Sequence, residues 1–516
     1  MPQNHSENNK RIVKNTFFLY GRMLFSMLVS LYTARAILNA LGVEDFGIYN
    51  IAGGFVGMLS FLNASMSGAT SRFLTFELGK DDKEKLHHTF ASSVIIHFFI
   101  ALFVVLICET IGLWYVNNKL VVPADSMQDV HWLYQFAIIG TFLSIVQTPF
   151  SAVIMSHEKM DIYAYFDIFG VLLKLGLVFV LQFYMGDRLF LWGLLIFLHS
   201  LLMMGIYFVY CVTHYKETHF KFVWKPDILK PMLSFSGWDL YGNLSVLIRT
   251  QGVNLLLNLF LGPIVNAATA IATQVQGAIM GFGSNLISAI RPQLIKQYAV
   301  GDYTYMFKLL SGGMKMTCLL LSVLTIPLLI ELEYVLHLWL GIVPEYTINI
   351  CRLTLIFNFF AGISILLAAI IHATGRMKRI SFINGTIYLM VLPITYIIFK
   401  FGEVKPWIPY LINIIGISIG ILSNLWTIKL YIPSFDFKDF LWKDYILSLL
   451  LFFGSWIICW PISLLLPQGF GRLVIVTLTT TILLCFIGYF YYIPDSIKIR
   501  IKEFISKKLK YRKAFV

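Results

Sequence analysis

Six cationic side chains stand where a membrane would penalise them. Arg22, Arg35, Lys174, Arg249, Lys315 and Arg352 each interrupt an apolar stretch long enough to cross a bilayer. On insertion scales each such group costs roughly 2.5–3.5 kcal/mol at mid-membrane. Six of them facing lipid would cost on the order of 15–20 kcal/mol, more than the stability margin of a typical domain. Most must therefore face water or protein. Such groups can hold an anion: guanidinium offers planar, paired, charge-assisted donors that match phosphate oxygens, and a low-dielectric setting strengthens the attraction.

Helical periodicity sorts the polar residues onto faces. Asn15, Arg22, Ser26, Ser30 and Thr33 share one stripe of the first span, with Arg35 roughly 140° away from Arg22 at 100° per residue. Tyr163, Asp167, Gly170 and Lys174 align in the fifth span. Asp239, Asn243, Thr250 and Asn254 cluster in the seventh, with Arg249 at their edge, and Asn266, Thr269, Thr273 and Arg291 follow one side of the eighth. Four polar stripes are what a hydrated cavity between helical lobes requires. The expected anion site is therefore Arg22, Arg35, Arg249 and Lys174, lined by Ser26, Ser30, Asn243, Thr250, Asn254 and Thr273. Arg72 and Arg291, at the ends of their spans, either receive an arriving phosphate group or anchor the interface.

Plainer readings stand beside these. Ser, Thr and Gly on membrane helices ordinarily serve tight packing. Lys315 and Arg352 lie near span ends and can snorkel; Glu109 and Glu331 fit an outer interface. Asp167 can simply neutralise Lys174 or another cation. The six cysteines fall in or beside apolar runs with no CxxC pair or His/Cys cluster, so they read as small packing residues and no metal site is expected.

The elements that must position these residues follow from hydropathy. The chain is 58% hydrophobic and 13% charged, and near-twenty-residue apolar runs recur along it. That pattern means an all-α membrane protein; a β-barrel needs alternation instead. About fourteen spans are expected, from 15–41 and 46–71 to 444–463 and 473–493. Twenty-nine of the 40 Lys and Arg fall on the N-terminal side, against Lys119, Arg188, Lys400, Lys405 and Arg472 on the other. The positive-inside rule then puts both termini in the cytoplasm. The net charge of +13 is topology and contact with anionic membrane lipids, not nucleic-acid binding. The start carries no removable signal sequence, and outer loops are too short for a soluble catalytic domain.

The chain also repeats itself. Leu19-Tyr20-Gly21 recurs as Leu240-Tyr241-Gly242, Leu41-Gly42 as Leu261-Gly262, Arg72 as Arg291 and Gly79-Lys80-Asp81 as Gly301-Asp302, at nearly equal spacings. Spans 1–2 thus match spans 7–8, giving two pseudo-symmetric six-helix lobes at 1–213 and 232–431. A linker at 214–231 joins them; two C-terminal helices at 432–493 and a basic cytoplasmic tail at 494–516 follow. In transporters, such parallel repeats enclose a central site and rock around it.

The run Arg35-Ala36-Ile37-Leu38-Asn39-Ala40-Leu41-Gly42-Val43-Glu44-Asp45-Phe46-Gly47-Ile48-Tyr49, then Ser71-Arg72-Phe73, Glu77-Leu78-Gly79-Lys80 and Ala373-Thr374-Gly375-Arg376, resembles bacterial polysaccharide flippases. These are the lipid-linked oligosaccharide exporters of the multidrug/oligosaccharidyl-lipid/polysaccharide exporter superfamily. The resemblance implies movement of undecaprenyl-pyrophosphate-linked sugar units across the bacterial inner membrane, for O-antigen, capsule or exopolysaccharide assembly. It implies no cofactor beyond a coupling ion, H+ or Na+, for which Asp167 and Asp239 are candidates. A polysaccharide polymerase and a chain-length regulator are the implied partners. The resemblance carries over by residue only to Arg35–Gly42, Arg72 and Arg376. Two alternatives stand against it: a multidrug and toxin extrusion antiporter, which needs acids where span 1 has arginines, and a membrane polymerase or acyltransferase, for which no paired acid/base constellation is visible.

Overall fold

The computed structural model describes residues 5–58, 60–118, 127–219, 225–340 and 343–491. They form α1 (His5–Met58), α2 (Ser60–Lys80), α3 (Lys83–Asn118), α4 (Met127–Ser156), α5 (Met160–Phe183), α6 (Arg188–His214) and α7 (Pro226–Leu261). The second half continues with α8 (Pro263–Val300), α9 (Tyr303–Leu340), α10 (Thr347–Thr374), α11 (Lys378–Phe401), α12 (Ile408–Tyr431), α13 (Phe437–Leu465) and α14 (Phe470–Tyr491). No strand occurs among the described residues. Eleven of these helices, α3–α7 and α9–α14, are long and apolar enough to cross a membrane. The basic tail lies outside the described residues.

The helices begin and end for local reasons. Asp82 caps α3 by accepting from the Lys85 N–H at 3.0 Å, and Asp187 caps α6 by accepting from Phe190 at 2.9 Å. Gly262 breaks the chain between α7 and α8 with φ +78°, and Pro263 starts the next helix. Proline lacks the N–H that would continue the helix and pushes its predecessor out of helical geometry. The matching break expected at Leu41-Gly42 does not occur: α1 runs on to Met58. Val43 stands where its counterpart is proline, so nothing there removes a backbone donor.

The chain folds as two compact units. Unit 1 holds Met1–Leu247, Ser288–Met306 and Ala369–Gly385; unit 2 holds Ile248–Ile287, Phe307–Ala368 and Thr386–Val516. This division cuts across the lobes read from the repeat. Spans 1–6 pack in unit 1 together with the Lys/Arg-rich ends of α7, α8, α10 and α11. The core of unit 1 is aromatic and aliphatic, with Phe90 edge-on to Phe150 and fully buried Trp192 edge-on to Tyr49.

In unit 2 the last two helices are fastened to α9. Lys315 lies 3.2 Å from Asp444, which also accepts from Ser311, and Phe359 stacks on Phe452 at 4.2 Å. Farther along α9, Glu331 interrupts the helix with φ −102° and ψ 17°, and its carboxylate is buried. Arg472 donates to it through Nη2 at 2.9 Å and Nε at 3.1 Å, and through Nη1 to Ser463 O at 2.9 Å. Glu331 is thus the buried ion-pair partner of Arg472, and Lys315 is the partner of Asp444.

Candidate functional site

In unit 1, α4, α5 and α6 enclose a polar chamber of about 390 Å³. Its lining includes Gln147, Ser151, Asp167, Lys174, His199 and Tyr207. Asp167 accepts from Ser26 Oγ at 3.0 Å, and Arg22 Nη1 lies 3.6 Å from the same oxygen. The Arg22 guanidinium also sits 5.2 Å over the Tyr163 ring. The partner of Asp167 is therefore Arg22 of α1, not Lys174 two turns along its own helix. Lys174 lines the chamber without an ion pair among the described residues. His199 is bonded at Nε2 to Gly170 O, 3.0 Å away, which places a proton on that nitrogen.

In unit 2, a smaller cavity of about 70 Å³ surrounds Arg249. The guanidinium is packed against rings, 4.7 Å from the Tyr388 centroid and 5.4 Å from that of Phe357. Nη1 donates to Asn413 Oδ1 at 3.0 Å. No carboxylate among the described residues pairs with it. Thr250, Thr269, Thr273, Gln276 and Tyr410 complete the wall, and the Tyr410 hydroxyl donates to Thr269 at 3.0 Å. A cation held by neutral and aromatic groups beside a cavity is chemically an anion acceptor.

A third cluster ties the Lys/Arg-rich helix ends together inside unit 1. Arg72 of α2 donates through Nε to His372 O at 3.2 Å and through Nη2 to Ala373 O at 3.0 Å, two carbonyls at the end of α10, of which His372 O also accepts from the Gly375 N–H at 3.0 Å. Gly375 follows with φ +74°, its missing Cβ leaving the space that Arg72 fills. Arg291 of α8 donates through Nη2 to His372 Nδ1 at 2.6 Å. A guanidinium only donates, so Nδ1 accepts and the imidazole proton sits on Nε2, 3.9 Å from Asp239 Oδ1. Asp239 accepts from Asn243 at 3.3 Å. One turn beyond Arg291, Glu158 accepts from Lys296 and Gln293 of α8 at 2.5 and 2.6 Å, with Arg11 at 3.6 Å.

At the loop ends of unit 1, a recess of about 630 Å³ is lined by acids, histidines and lysines together, among them Asp82, His87, His157, Lys216 and Glu217. Burial, the largest single influence, pushes the Glu217 carboxyl up, but the His157 imidazole 2.6 Å away, the residue's own backbone N–H and His87 together hold it below the usual range. With both signs present, this recess has no bias toward anions.

Each unit gathers part of the expected anion site. Arg22, Ser26, Asp167 and Lys174 meet at the unit 1 chamber; Arg249, Thr250 and Thr273 meet at the unit 2 cavity. Arg72, Asp239, Asn243 and Arg291 belong to the helix-end cluster. Asn254 is occupied by Asn266, accepting at 2.9 Å, and Ser30 is exposed. Arg35 lies on α1, its side chain outside the described set. Sequence reasoning missed Phe357, Tyr388, Tyr410 and Asn413 around Arg249, and Glu158, Lys296 and His372 at the helix ends. Asn413 carried a usable signal, a lone amide in an apolar span. No group of three or more metal-ligating side chains converges among the described residues.

Residues 12–297, more than half of the chain, match the pattern of a family described as polysaccharide biosynthesis protein. No curated protein matches the chain. Among solved structures, a MATE protein in the bent conformation aligns with TM-score 0.72 at 14% identity, covering 83% of this chain and 97% of its own. A multidrug resistance MATE family transporter of the MOP superfamily, described in an outward-facing conformation, aligns with TM-score 0.71 at 13% identity, covering 82% and 96%. A MOP superfamily transporter from Pyrococcus furiosus, for which a reversed polarity of the binding pocket is described, aligns with TM-score 0.69 at 15% identity, covering 82% and 96%. The chain shares the fold of these proteins.

Proposed function

The chain belongs to the polysaccharide biosynthesis protein family, and on that premise we propose that it is a membrane transporter that flips a lipid-linked oligosaccharide by its pyrophosphate headgroup. Arg249 carries the reading. It is a guanidinium with no carboxylate partner among the described residues, held by two aromatic rings and an amide, beside a cavity that threonines, Gln276 and Tyr410 line together with apolar side chains. Such a group attracts an anion and repels the cationic drugs that a multidrug exporter takes.

In this reading the carrier is an undecaprenyl-pyrophosphate-linked sugar unit, the membrane is the bacterial inner membrane, and the Lys/Arg-rich ends and both termini face the cytoplasm. Alternating access exposes the cavity to each side in turn. Arg22 and Lys174 supply further positive charge in the first lobe. Asp167, which accepts from Ser26 and lies 3.6 Å from Arg22, is in this reading the candidate for coupling headgroup release to an ion.

The test is Arg249→Ala in a bacterium whose surface polysaccharide depends on this protein. Losing a charge-assisted contact worth about 1.5–3 kcal/mol should cut transport roughly tenfold to more than a hundredfold. Membrane expression should persist. Normal polymer at normal expression defeats the reading. The runner-up, a MATE-type cation antiporter, is favoured by the shared fold and by the carboxylate in the unit 1 chamber. It predicts drug efflux that Asp167→Asn abolishes and Arg249→Ala spares.

A further inference from the structure

Arg72 and Arg291 converge on one residue from two helices, and neither has a carboxylate oxygen within 4 Å among the described residues. Arg72 spends its donors on two peptide carbonyls, and its guanidinium carbon lies 4.5 Å and 4.7 Å over the Phe73 and Phe76 rings. Arg291 spends its donor on a neutral imidazole nitrogen. Neither makes an ion pair within 4 Å with a carboxylate among the described residues; Asp239, 3.9 Å from His372, and Glu77 act on Arg291 and Arg72 only at longer range. Two planar forks in a half-buried setting, both bonded to neutral acceptors, form an anion site that the protein itself fills.

We propose that Arg72 and Arg291 dock a phosphate or pyrophosphate group, and that docking there and closure of the Lys/Arg-rich helix ends are mutually exclusive. This rests on the flippase reading and adds a first stop for the headgroup, apart from Arg249. The exchange follows from bond strengths. A guanidinium that trades a neutral acceptor for an anion gains charge–charge attraction and a paired, bidentate geometry that a carbonyl or imidazole does not offer. An arriving anion therefore displaces His372 O, Ala373 O and His372 Nδ1, releasing the end of α10 from α2 and α8. The bonds between Glu158, Lys296 and Gln293 close the same ends one turn away and must also part. When no anion is present, the carbonyls and the imidazole return and the ends lock.

The structure offers a reversible lock for the test. The Cβ that Gly79 lacks would lie 2.9 Å from Ala299 Cβ, so Gly79→Cys with Ala299→Cys can form a disulfide after a shift of less than about 2 Å. Cys485, the one exposed cysteine among the described residues, is replaced by Ser, and Arg249→Gln removes the other anion site. Binding of inorganic pyrophosphate and of farnesyl pyrophosphate is then measured by calorimetry on the purified full-length protein in detergent.

The reduced form should bind, and the oxidised form should bind at least tenfold more weakly and recover on reduction. Because the same molecules are compared in two redox states, misfolding cannot imitate the result. Adding Arg72→Gln and Arg291→Gln to the reduced form should also cost tenfold or more. Tighter binding of farnesyl pyrophosphate identifies a lipid headgroup as the ligand, and equal binding a free anion. Equal affinity in the oxidised and reduced forms overturns the proposal. It would leave the Arg249 reading intact, since that is decided by polymer export.

Discussion

Removing Arg472 should undock the C-terminal helices from α9. Glu331 is 1% exposed, and Arg472 gives it two hydrogen bonds while also donating to Ser463 O. In Arg472→Gln the carboxylate stays buried with its cation gone. Breaking a buried pair from one side costs about 3–5 kcal/mol, because the remaining charge keeps its desolvation penalty without its partner. At 1.4 kcal/mol per decade, the equilibrium between docked and undocked hairpin shifts by roughly a hundredfold to a few thousandfold. Hydrogen exchange of α14 amides, followed by mass spectrometry in detergent, should accelerate by that factor, while exchange in α4 and α6 of unit 1 stays unchanged. The double variant Glu331→Leu with Arg472→Leu removes both buried charges and should exchange more slowly than the single one. Acceleration of α14 by less than about threefold in Arg472→Gln would refute the reasoning. So would an equal acceleration in α4, which would mean general destabilisation rather than loss of a clamp.

Two further outcomes are expected. Gly375→Ala meets both a φ of +74° and the Arg72 Nη2 atom 2.8 Å from its new Cβ, whereas Gly262→Ala meets a φ of +78° in open space. Backbone strain alone costs roughly 1–2 kcal/mol, so both should lower the thermal midpoint in detergent and Gly375→Ala should lower it further; equal effects would refute the crowding. The Glu217 carboxyl is held below its ordinary value by His157, its own backbone N–H and His87 together, so its stabilising effect is present above about pH 4.5 and lost as the pH falls through the lowered value. Wild type and Glu217→Gln should therefore differ in melting temperature near neutral pH and converge in acid, and a difference that grows in acid would refute the pairing.

Hydropathy made the helices legible because each must satisfy its own backbone in lipid. Boundaries were legible where one residue decides them, as at Gly262-Pro263. They were not where the repeat suggested a break that only proline could enforce, as at Gly42-Val43. Side-chain partners were harder. Lys174 lies seven residues from Asp167 on the same face and looked like its counter-ion, yet Arg22 arrives from α1 and takes that place. Arg72 and the carbonyls it caps are about 300 residues apart, a distance that periodicity within one span cannot bridge. The aromatic cradle of Arg249 was hidden for a different reason: with 16% Phe, Trp and Tyr, no single ring stands out. What could be read was that costly charges need shelter; which helix provides it is decided by packing.

The cavity beside Arg249, about 70 Å³, has room for about five water positions. That is enough for an anionic group and too little for a chain of sugars. If the proposed flippase function holds, a carrier gripped there is held by a feature common to every cargo of its class, and the grip conveys nothing about the glycan attached. Selectivity among glycans would then come from other walls, free to diversify while the anchor stays the same.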